Sequence, residues 1–163
     1  MRRMRRLASA GVALAGVAIL AACTHQQGLL SLNPQYRLGY DDKGASAALA
    51  YGAPNSDDLA LMLECPKGTG RIELSDTIRD KTATAIVLTS GRSRTAVPVH
   101  AQEGGGEDAG PQLLIGRLTS SAPALVAFRH SGMLGVANGS ARYAITVAAD
   151  GRAGVERFFR ECG

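Results

Sequence analysis

Two cysteines far apart in the chain, Cys65 and Cys162, each stand in a pattern that predicts a buried position. In LALMLEC, residues 59–65, leucine recurs at alternate positions up to Cys65, which is the spacing of one face of a strand. In GVERFFREC, residues 154–162, one valine, two phenylalanines and Cys162 recur at helical spacing. Both thiols are therefore expected to point into a core, where they can form a disulfide or stay free.

The histidines and two pairs of adjacent aspartates are the other candidates for metal ligands. His25, His100 and His130 show neither H-x-x-x-H spacing nor a cysteine at zinc-site spacing. His130 falls near the end of a predicted helix, where a cation complements the helix dipole. The aspartate pairs at 41–42 and 57–58 match no EF-hand loop and have no neighbour that would tune a carboxylate for acid–base catalysis. We predict solvated turns, no metal site and no cofactor.

Two further motifs match catalytic or nucleotide-binding patterns only in part. GGGEDA, residues 104–109, fits the letters of the dinucleotide fingerprint. However, no strand leads directly into it, no helix follows, and its two acids would repel a pyrophosphate. GRSRT, residues 91–95, is not G-x-S-x-G, and no serine stands three residues before a lysine. The sequence thus predicts no catalytic residues, and the protein is not expected to be an enzyme.

The basic charge of the chain is concentrated at its start. The chain has 163 residues, which suits one domain, and a formal net charge of +4. Four arginines lie in the first six residues, so 14 of the 18 basic residues follow residue 22, against 14 acidic ones. A neutral body without a basic, aromatic stripe argues against nucleic-acid binding.

Residues 1–22 have the pattern of a secretory signal peptide, with a basic start, an apolar stretch and small residues before Cys23. Leu20-Ala21-Ala22-Cys23 resembles the lipobox of bacterial lipoproteins. In that family the cysteine thiol takes a diacylglycerol, the peptide is cut before it, and the new amino group is often acylated as well, for example with palmitate. The resemblance implies lipidation of Cys23 and a stable membrane anchor, because two or three chains hold firmly. An uncleaved single-span helix is the alternative.

The segment after the lipobox bears on localisation. Thr24, not aspartate, follows the cysteine, which in Gram-negative bacteria resembles cargo sent to the outer membrane. We therefore expect an envelope protein, lipid-anchored and facing the periplasm from the outer membrane if the cell is Gram-negative. Residues 23–34 are predicted to form a lipidated tether, and residues 35–163 a single β-rich domain.

Export also bears on the two remaining cysteines. With Cys23 assigned to the lipid, Cys65 and Cys162 form one candidate disulfide in an oxidising compartment. Closing a loop of about 100 residues would stabilise the fold by ~4–5 kcal/mol in the chain-entropy model. Two free buried thiols are the alternative.

Alternating apolar residues predict a mainly antiparallel β domain, either a sandwich or a barrel, with seven to nine strands. The strands are expected around 36–40, 47–51, 59–65, 72–74, 82–91, 95–101, 113–119, 133–137 and 143–149. Pro98 limits its strand to a sheet edge or a bulge, and an acidic loop is expected at 103–110. SSAPALVAFRHSG, residues 120–132, begins with serine and an early proline and ends in glycine, which predicts a short helix.

Three local features accompany the last hairpin and helix. Asn138-Gly139 predicts a type I′ turn between the last two strands. Asp150 is placed to cap a final helix near 152–162. Glu156 and Arg160 are spaced for an i,i+4 ion pair on that helix.

Strands followed by a helix, a hairpin and a helix, from LVAFRHSGMLGVANG to VERFFREC, resemble the invasion-associated locus B family of exported bacterial proteins. That resemblance implies a periplasmic β-sandwich without a settled catalytic role. The leading hypothesis is a lipid-anchored, non-catalytic envelope module that binds an envelope protein or glycan. One alternative is a lysozyme-type inhibitor, since ECPKGTGRIEL is similar to the Cys-turn-strand of that class, although its Ser-Gly motif followed by tyrosine is missing. The other is an enzyme whose site is assembled from distant residues.

Overall fold

The computed structural model describes residues 32–77, 83–102 and 113–163, which hold nine β-strands and two α-helices. The helices are α1, Pro123–Ser131, and α2, Arg152–Cys162, with a 3₁₀ turn, Ala149–Gly151, before α2. The strands are β1 Arg37–Asp42, β2 Ser46–Gly52, β3 Leu59–Pro66, β4 Arg71–Asp76, β5 Ala85–Ser90, β6 Ser93–Gln102, β7 Leu113–Thr119, β8 Met133–Asn138 and β9 Ala141–Thr146. The predicted fold class is confirmed, including the final helix. The predicted signal peptide, Cys23, most of the tether and the acidic loop at 103–110 lie outside the described residues.

The strands form one sheet in the order β1-β2-β3-β4-β7-β6-β5-β8-β9, and every neighbouring pair is antiparallel. Of the two predicted architectures the barrel is the one found, because the sheet is nearly closed on itself. Eight successive reversals leave the edge strands β1 and β9 running in the same direction, so an antiparallel ladder cannot continue between them. We call the cleft between them the seam; it is lined by Leu38, Tyr40, Thr146, Ala148 and Gly151.

Helix α2 lies along β1 and β2 and covers the gap that the strands leave. Two glycines permit this approach. A Cβ at Gly154 would lie 2.8 Å from Cβ of Tyr40, and a Cβ at Gly151 would lie 3.3 Å from the carbonyl oxygen of Leu38. The apolar face of the helix points inward at the predicted spacing, and its buried members are Val155, Phe158, Phe159 and Cys162. The helix therefore supplies the wall that a pairing between β1 and β9 cannot.

Aliphatic side chains from the inner faces of the strands fill the barrel. Leu49, Leu63 and Leu74 are each 0–1% exposed, and the same alternation continues around the sheet. The chain has only three phenylalanines, and all three lie on the helices. They form two edge-to-face contacts, Phe128–Phe159 at 6.4 Å and Phe158–Phe159 at 5.3 Å between ring centroids. This geometry is favourable for aromatic rings, so α1 and α2 are joined through buried aromatic contacts.

The two ends of the barrel differ. At the helical end lie α1, α2 and the turns that join β1 to β2, β3 to β4 and β5 to β6. At the opposite end, which we call the open end, lie the loop 53–58, the β8–β9 turn and the start of β1. Because β1 and β9 run in the same direction, both also begin at the open end.

The turn between β8 and β9 differs from the predicted one by one residue. Asn138 pairs with Ala141 in the ladder, so the two central residues are Gly139 and Ser140. Gly139 has φ +57°, whereas Ser140 lies outside the left-handed region. Glycine alone at the first central position is typical of a type II′ turn and not of type I′. The prediction failed because the letters Asn-Gly fit two registers.

Pro98 sits where β6 changes partner. Residues up to Pro98 pair with β5, and residues from Val99 onward pair with β7. Each half of β6 therefore has one open side, and a residue without an N–H group is tolerated at the junction.

Both helices begin differently from the prediction. No serine side chain caps α1, whose preceding residue is Ala122; instead the N–H of Ala124 donates to Oγ1 of Thr95, on β6, at 3.1 Å. Asp150 does not cap α2, which follows Gly151 and has no side-chain cap. A cap from a distant strand leaves no local sequence signal.

The ion pairs of α2 also differ from the prediction. Glu156 pairs with Arg129 of α1 at 2.9 Å and not with Arg160. The i,i+4 pair of this helix is Arg157–Glu161, at 2.8 Å. Packing between the helices thus decides which partner Glu156 takes.

Candidate functional site

Cys65 on β3 and Cys162 on α2 lie at disulfide distance inside the barrel, with their Cα atoms 5.8 Å apart. Both side chains are fully buried, as the two sequence patterns predict. Next to them, the N–H of Gly68 donates to the carbonyl of Glu161 at 2.8 Å, and the N–H of Gly70 donates to that of Cys162 at 2.6 Å. The β3–β4 turn is therefore engaged with the end of α2. This turn belongs to residues 64–74, the segment behind the inhibitor alternative.

A closed ring of four alternating charges surrounds this junction, and we call it the charge ring. Nζ of Lys67 contacts Asp42 at 2.7 Å and Glu161 at 3.0 Å. Arg157 contacts the same two acids, at 2.6 Å and 2.8 Å. Tyr40 adds a hydroxyl that donates to Glu161 at 2.7 Å, and its ring lies 4.7 Å below the guanidinium of Arg157. The ring ties α2 to the β1–β2 and β3–β4 turns.

The charges of the ring satisfy one another. Hydrogen bonds from Arg157, Tyr40 and Lys67 lower the pKa of Glu161 to about 2. The hydrogen bond from Lys67 likewise lowers the pKa of Asp42. Carboxylates held in this way stay ionised and are poor proton acceptors at neutral pH. The ring is thus suited to holding the helix in place and not to acid–base catalysis.

The predicted histidine and aspartate candidates are not brought together by the fold. His100 lies on β6 and His130 in the last turn of α1, as predicted, while His25 falls outside the described residues. Asp42 belongs to the charge ring at the helical end, and Asp58 accepts the hydroxyl of Tyr36 at 2.6 Å near the open end. Within residues 32–77, 83–102 and 113–163, no three His, Cys, Asp or Glu side chains form a group that could hold a metal ion.

One buried pair of ionisable side chains spans the barrel. The hydroxyl of Tyr143, on β9, donates to Asp76, at the end of β4, at 2.9 Å. Asp76 is 0% exposed and Tyr143 is 2% exposed. Burial, reinforced by the nearby Asp76, raises the pKa of Tyr143 well above its ordinary value. Both side chains are closed off from solvent, so the pair joins opposite walls and offers no surface to a substrate.

The outer surface of β6, β5, β8 and β9 is different, because its centre carries only small side chains. We call it the β5–β8 face. Cross-strand register sets two rows, Ala96–Val87–Ala137–Arg142 and Arg94–Thr89–Gly135–Ala144. A Cβ at Gly135 would lie 2.5 Å from Oγ1 of Thr89, so glycine keeps the floor low there. Around it lies a shallow groove of about 500 Å³, with Arg94 and Arg142 at its margins.

Charge is segregated between the two halves of the barrel. Residues 32–77, which form β1–β4, carry four basic and seven acidic side chains. Residues 83–102 and 113–149, which form β5–β9 and α1, carry five arginines and no acid, whereas residues 103–112, which join β6 to β7 and lie outside the described residues, carry Glu103, Glu107 and Asp108. The two sets of strands are contiguous in the sheet, so the difference in sequence becomes a difference between two sides of the molecule. The neutral total, on which the exclusion of an anionic partner partly rested, hides this polarity.

Four of these five arginines fall into two groups, and the fifth, Arg92, is exposed in the β5–β6 turn at the helical end. Arg117 pairs with Glu73 at 3.6 Å, and Arg129 pairs with Glu156, so both contact the rest of the molecule. Arg94 and Arg142 are exposed and form no ion pair with a described carboxylate. These two side chains are free to meet an external anion. In the sequence, this arrangement is visible as two runs without acidic residues, 83–102 and 113–149, which the net charge of the whole chain conceals.

Comparisons of the chain with protein-family models, curated proteins and solved structures find no match. In the part of the chain that the structure describes, neither helix has the length and apolar character needed to cross a membrane. The function proposed below therefore rests on the residues of this chain.

Proposed function

We propose that the protein is a lipid-anchored, non-catalytic module of the bacterial cell envelope that binds an envelope component. The observation that carries the proposal is the buried Cys65–Cys162 pair at disulfide distance. A disulfide joining β3 to α2 forms and persists in an oxidising compartment such as the periplasm. The secretory pattern of residues 1–22 and the lipobox at Cys23 independently point to the same compartment.

The non-catalytic role is supported by how the ionisable groups are used. The carboxylates of the charge ring are held by two cations, and the Asp76–Tyr143 pair is enclosed. A further acid, Glu64, is likewise held by Lys43 at 3.0 Å and by the hydroxyl of Ser46 at 2.9 Å. Covalent or acid–base catalysis needs an accessible nucleophile beside a base, and none of these described groups provides one.

The anchor is tested on the full chain in a bacterial host. Growth with a radiolabelled or alkyne-tagged palmitate should label the wild-type protein, and mass spectrometry of the membrane fraction should find a mature N-terminus at a lipidated Cys23. A Cys23→Ser variant should lose the label. A wild-type product without lipid at Cys23 would overturn the anchor.

The compartment is tested separately through the thiols. Trapping with an alkylating reagent should find Cys65 and Cys162 oxidised in the exported chain and reduced in a chain made without residues 1–22. Reduced thiols in the exported chain would contradict the proposal. The inhibitor alternative is tested by adding the protein to lysozyme at micromolar concentration, where loss of lysozyme activity would favour it over our proposal.

A further inference from the structure

We propose that the β5–β8 face, through Arg94 and Arg142, docks the anchored domain onto an anionic lipid surface. The docking proposal depends on the proposed function in one respect: the lipid at Cys23 holds the domain near a membrane. The docking itself is argued from the surface of the described residues.

The shallow groove leaves the centre of the face open to lipid headgroups. Its two central rows carry alanine, glycine, valine and threonine across four strands, so that no bulky side chain rises from the middle. Met133, at the start of β8 in register with Thr146 of β9, extends this surface toward the helical end and is 56% exposed. Val126 of α1 is 43% exposed, and these are the two large hydrophobic side chains that the described part of the chain leaves exposed. Of the two, Met133 lies at the margin of this face, and an exposed apolar group beside a basic surface is typical of peripheral membrane contacts.

The charge of the face suits anionic headgroups. Arg94 and Arg142 stand at opposite corners, three strand spacings apart, which corresponds to about 15 Å. Neither is neutralised by a described carboxylate, and no acid occurs in residues 83–102 or 113–149. Each arginine near an anionic leaflet favours binding about fivefold. Two such contacts orient the face, whereas one would leave it free to rotate.

The position of the chain entry fits this orientation. Leu32 packs against the core just before β1, which begins at the open end. Across the seam from this point lies the start of β9, which carries Arg142. Eight residues, 24–31, lie between Leu32 and the predicted lipid site at Cys23. At a maximum of about 3.5 Å per residue, eight residues reach no further than about 30 Å. The domain therefore stays within contact distance of the leaflet, and a weak docking contact is enough to orient it.

Other occupants fit the face less well. A glycan would be expected to find exposed aromatic rings to stack on, and the residues that form the two rows include none. A second copy of the chain could bring its acidic β1–β4 side to the basic face, and the experiment below includes this outcome.

The test uses the chain from Thr24 onward, because every described element and the whole core lie between residues 32 and 163. Circular dichroism verifies that it is folded. Sedimentation measures its binding to vesicles of phosphatidylethanolamine with phosphatidylglycerol and to vesicles of phosphatidylethanolamine with phosphatidylcholine. We expect at least tenfold stronger binding to the anionic vesicles in 50 mM salt, with binding falling as salt rises.

Matched double variants separate the face from the net charge. Arg94→Gln with Arg142→Gln should weaken binding to anionic vesicles by about 25- to 30-fold. Arg71→Gln with Arg160→Gln removes the same charge from exposed positions on β4 and α2 and should change binding less than threefold. Ala96→Glu, which puts an acid on the face, should weaken binding further than the loss of either arginine alone.

Several results would overturn the docking. They are no binding of the wild-type chain to anionic vesicles at low salt, equal binding to both vesicle types, or an equal loss in both double variants. Concentration-dependent oligomers in analytical ultracentrifugation that disappear in the Arg94/Arg142 variant, without vesicle binding, would assign the face to self-association instead. The chain from Thr24 onward carries no lipid, so a failure of vesicle binding would not contradict the proposed lipid anchor. Conversely, an unlipidated Cys23 in the membrane fraction would contradict the anchor and not the docking.

Discussion

The charge ring and the β5–β8 face use the same residue types for opposite purposes. In the ring, Arg157 and Lys67 each contact two carboxylates, and the four charges close on themselves around the end of α2. On the face, Arg94 and Arg142 stand apart over small side chains and contact no described acid. Charges that are satisfied within the fold hold it together, whereas unpaired charges at the margins of a shallow groove are available to a partner. Substitutions in the two regions should therefore differ in kind.

The largest effect is expected at the cysteine pair within the ring. Replacing both residues, Cys65→Ala with Cys162→Ala, should lower the free energy of unfolding by roughly 4 kcal/mol, because the 97-residue separation no longer constrains the unfolded chain. Urea denaturation measures the change. Reducing agent should have a similar effect on the wild-type protein and none on the double variant. A variant as stable as the wild type would mean that the thiols are free.

The second-largest effect on stability is expected at the buried Tyr143–Asp76 hydrogen bond inside the barrel. Tyr143→Phe removes the hydrogen bond to Asp76 and leaves that buried carboxyl with one donor fewer, which should cost about 1–3 kcal/mol. The matched control is Tyr51→Phe. Tyr51 is half-buried on β2, and its hydroxyl bonds to no described residue, so this change should stay within about 0.5 kcal/mol. Equal losses in the two variants would show that the Tyr143–Asp76 bond contributes nothing specific.

Acid should weaken the charge ring through Glu161. Its pKa is lowered from 4.5 to about 2 in the folded protein, so its contribution to stability is present above pH 4.5 and is lost as the pH falls toward 2. Unfolding free energies measured between pH 6 and pH 2 should therefore fall less steeply in Glu161→Gln than in the wild type. Glu156→Gln, which breaks a single half-buried ion pair with Arg129 and leaves the charge ring intact, is the matched control. The same slope in all three proteins would remove Glu161 from the acid response.

The smallest effect on stability is expected on the β5–β8 face. Arg94→Gln with Arg142→Gln should change the free energy of unfolding by less than about 0.5 kcal/mol, because neither guanidinium is paired in the fold. Thermal and urea unfolding provide the measurement. A large loss of stability would show that these arginines support the fold as the charge ring does, and the contrast between the two regions would then be wrong.

The periodic parts of the chain were predictable because burial of one face dictates their spacing. Alternation in residues 59–65 and 113–119 located β3 and β7 within one residue, and helical spacing located α2. Burial of Cys65 and Cys162 followed from the same patterns. The outcome for Cys23 remains a prediction, since it lies outside the described residues.

The charged contacts were not predictable, because they depend on elements distant in sequence. Spacing favoured Arg160 as the partner of Glu156, yet packing of α1 against α2 brings Arg129 closer. The charge ring joins residues up to 119 positions apart, so no local pattern contains it. The acid-free runs were visible, but their union into one side required the pairing of β4 with β7 and of β6 with β7.

The seam also sets an order of events during synthesis. Cys162 follows Cys65 by 97 residues, so at about 5–20 residues per second the first thiol exists for roughly 5–20 s before its partner is made. Until α2 arrives, the strands can pair with their neighbours, but the gap between β1 and β9 has no cover. We expect nascent chains that end before α2 to be sensitive to protease and to carry a free Cys65 thiol, which pulse labelling with an alkylating reagent would detect. A barrel whose cover is its last described helix therefore stays incomplete until synthesis of the domain is nearly finished.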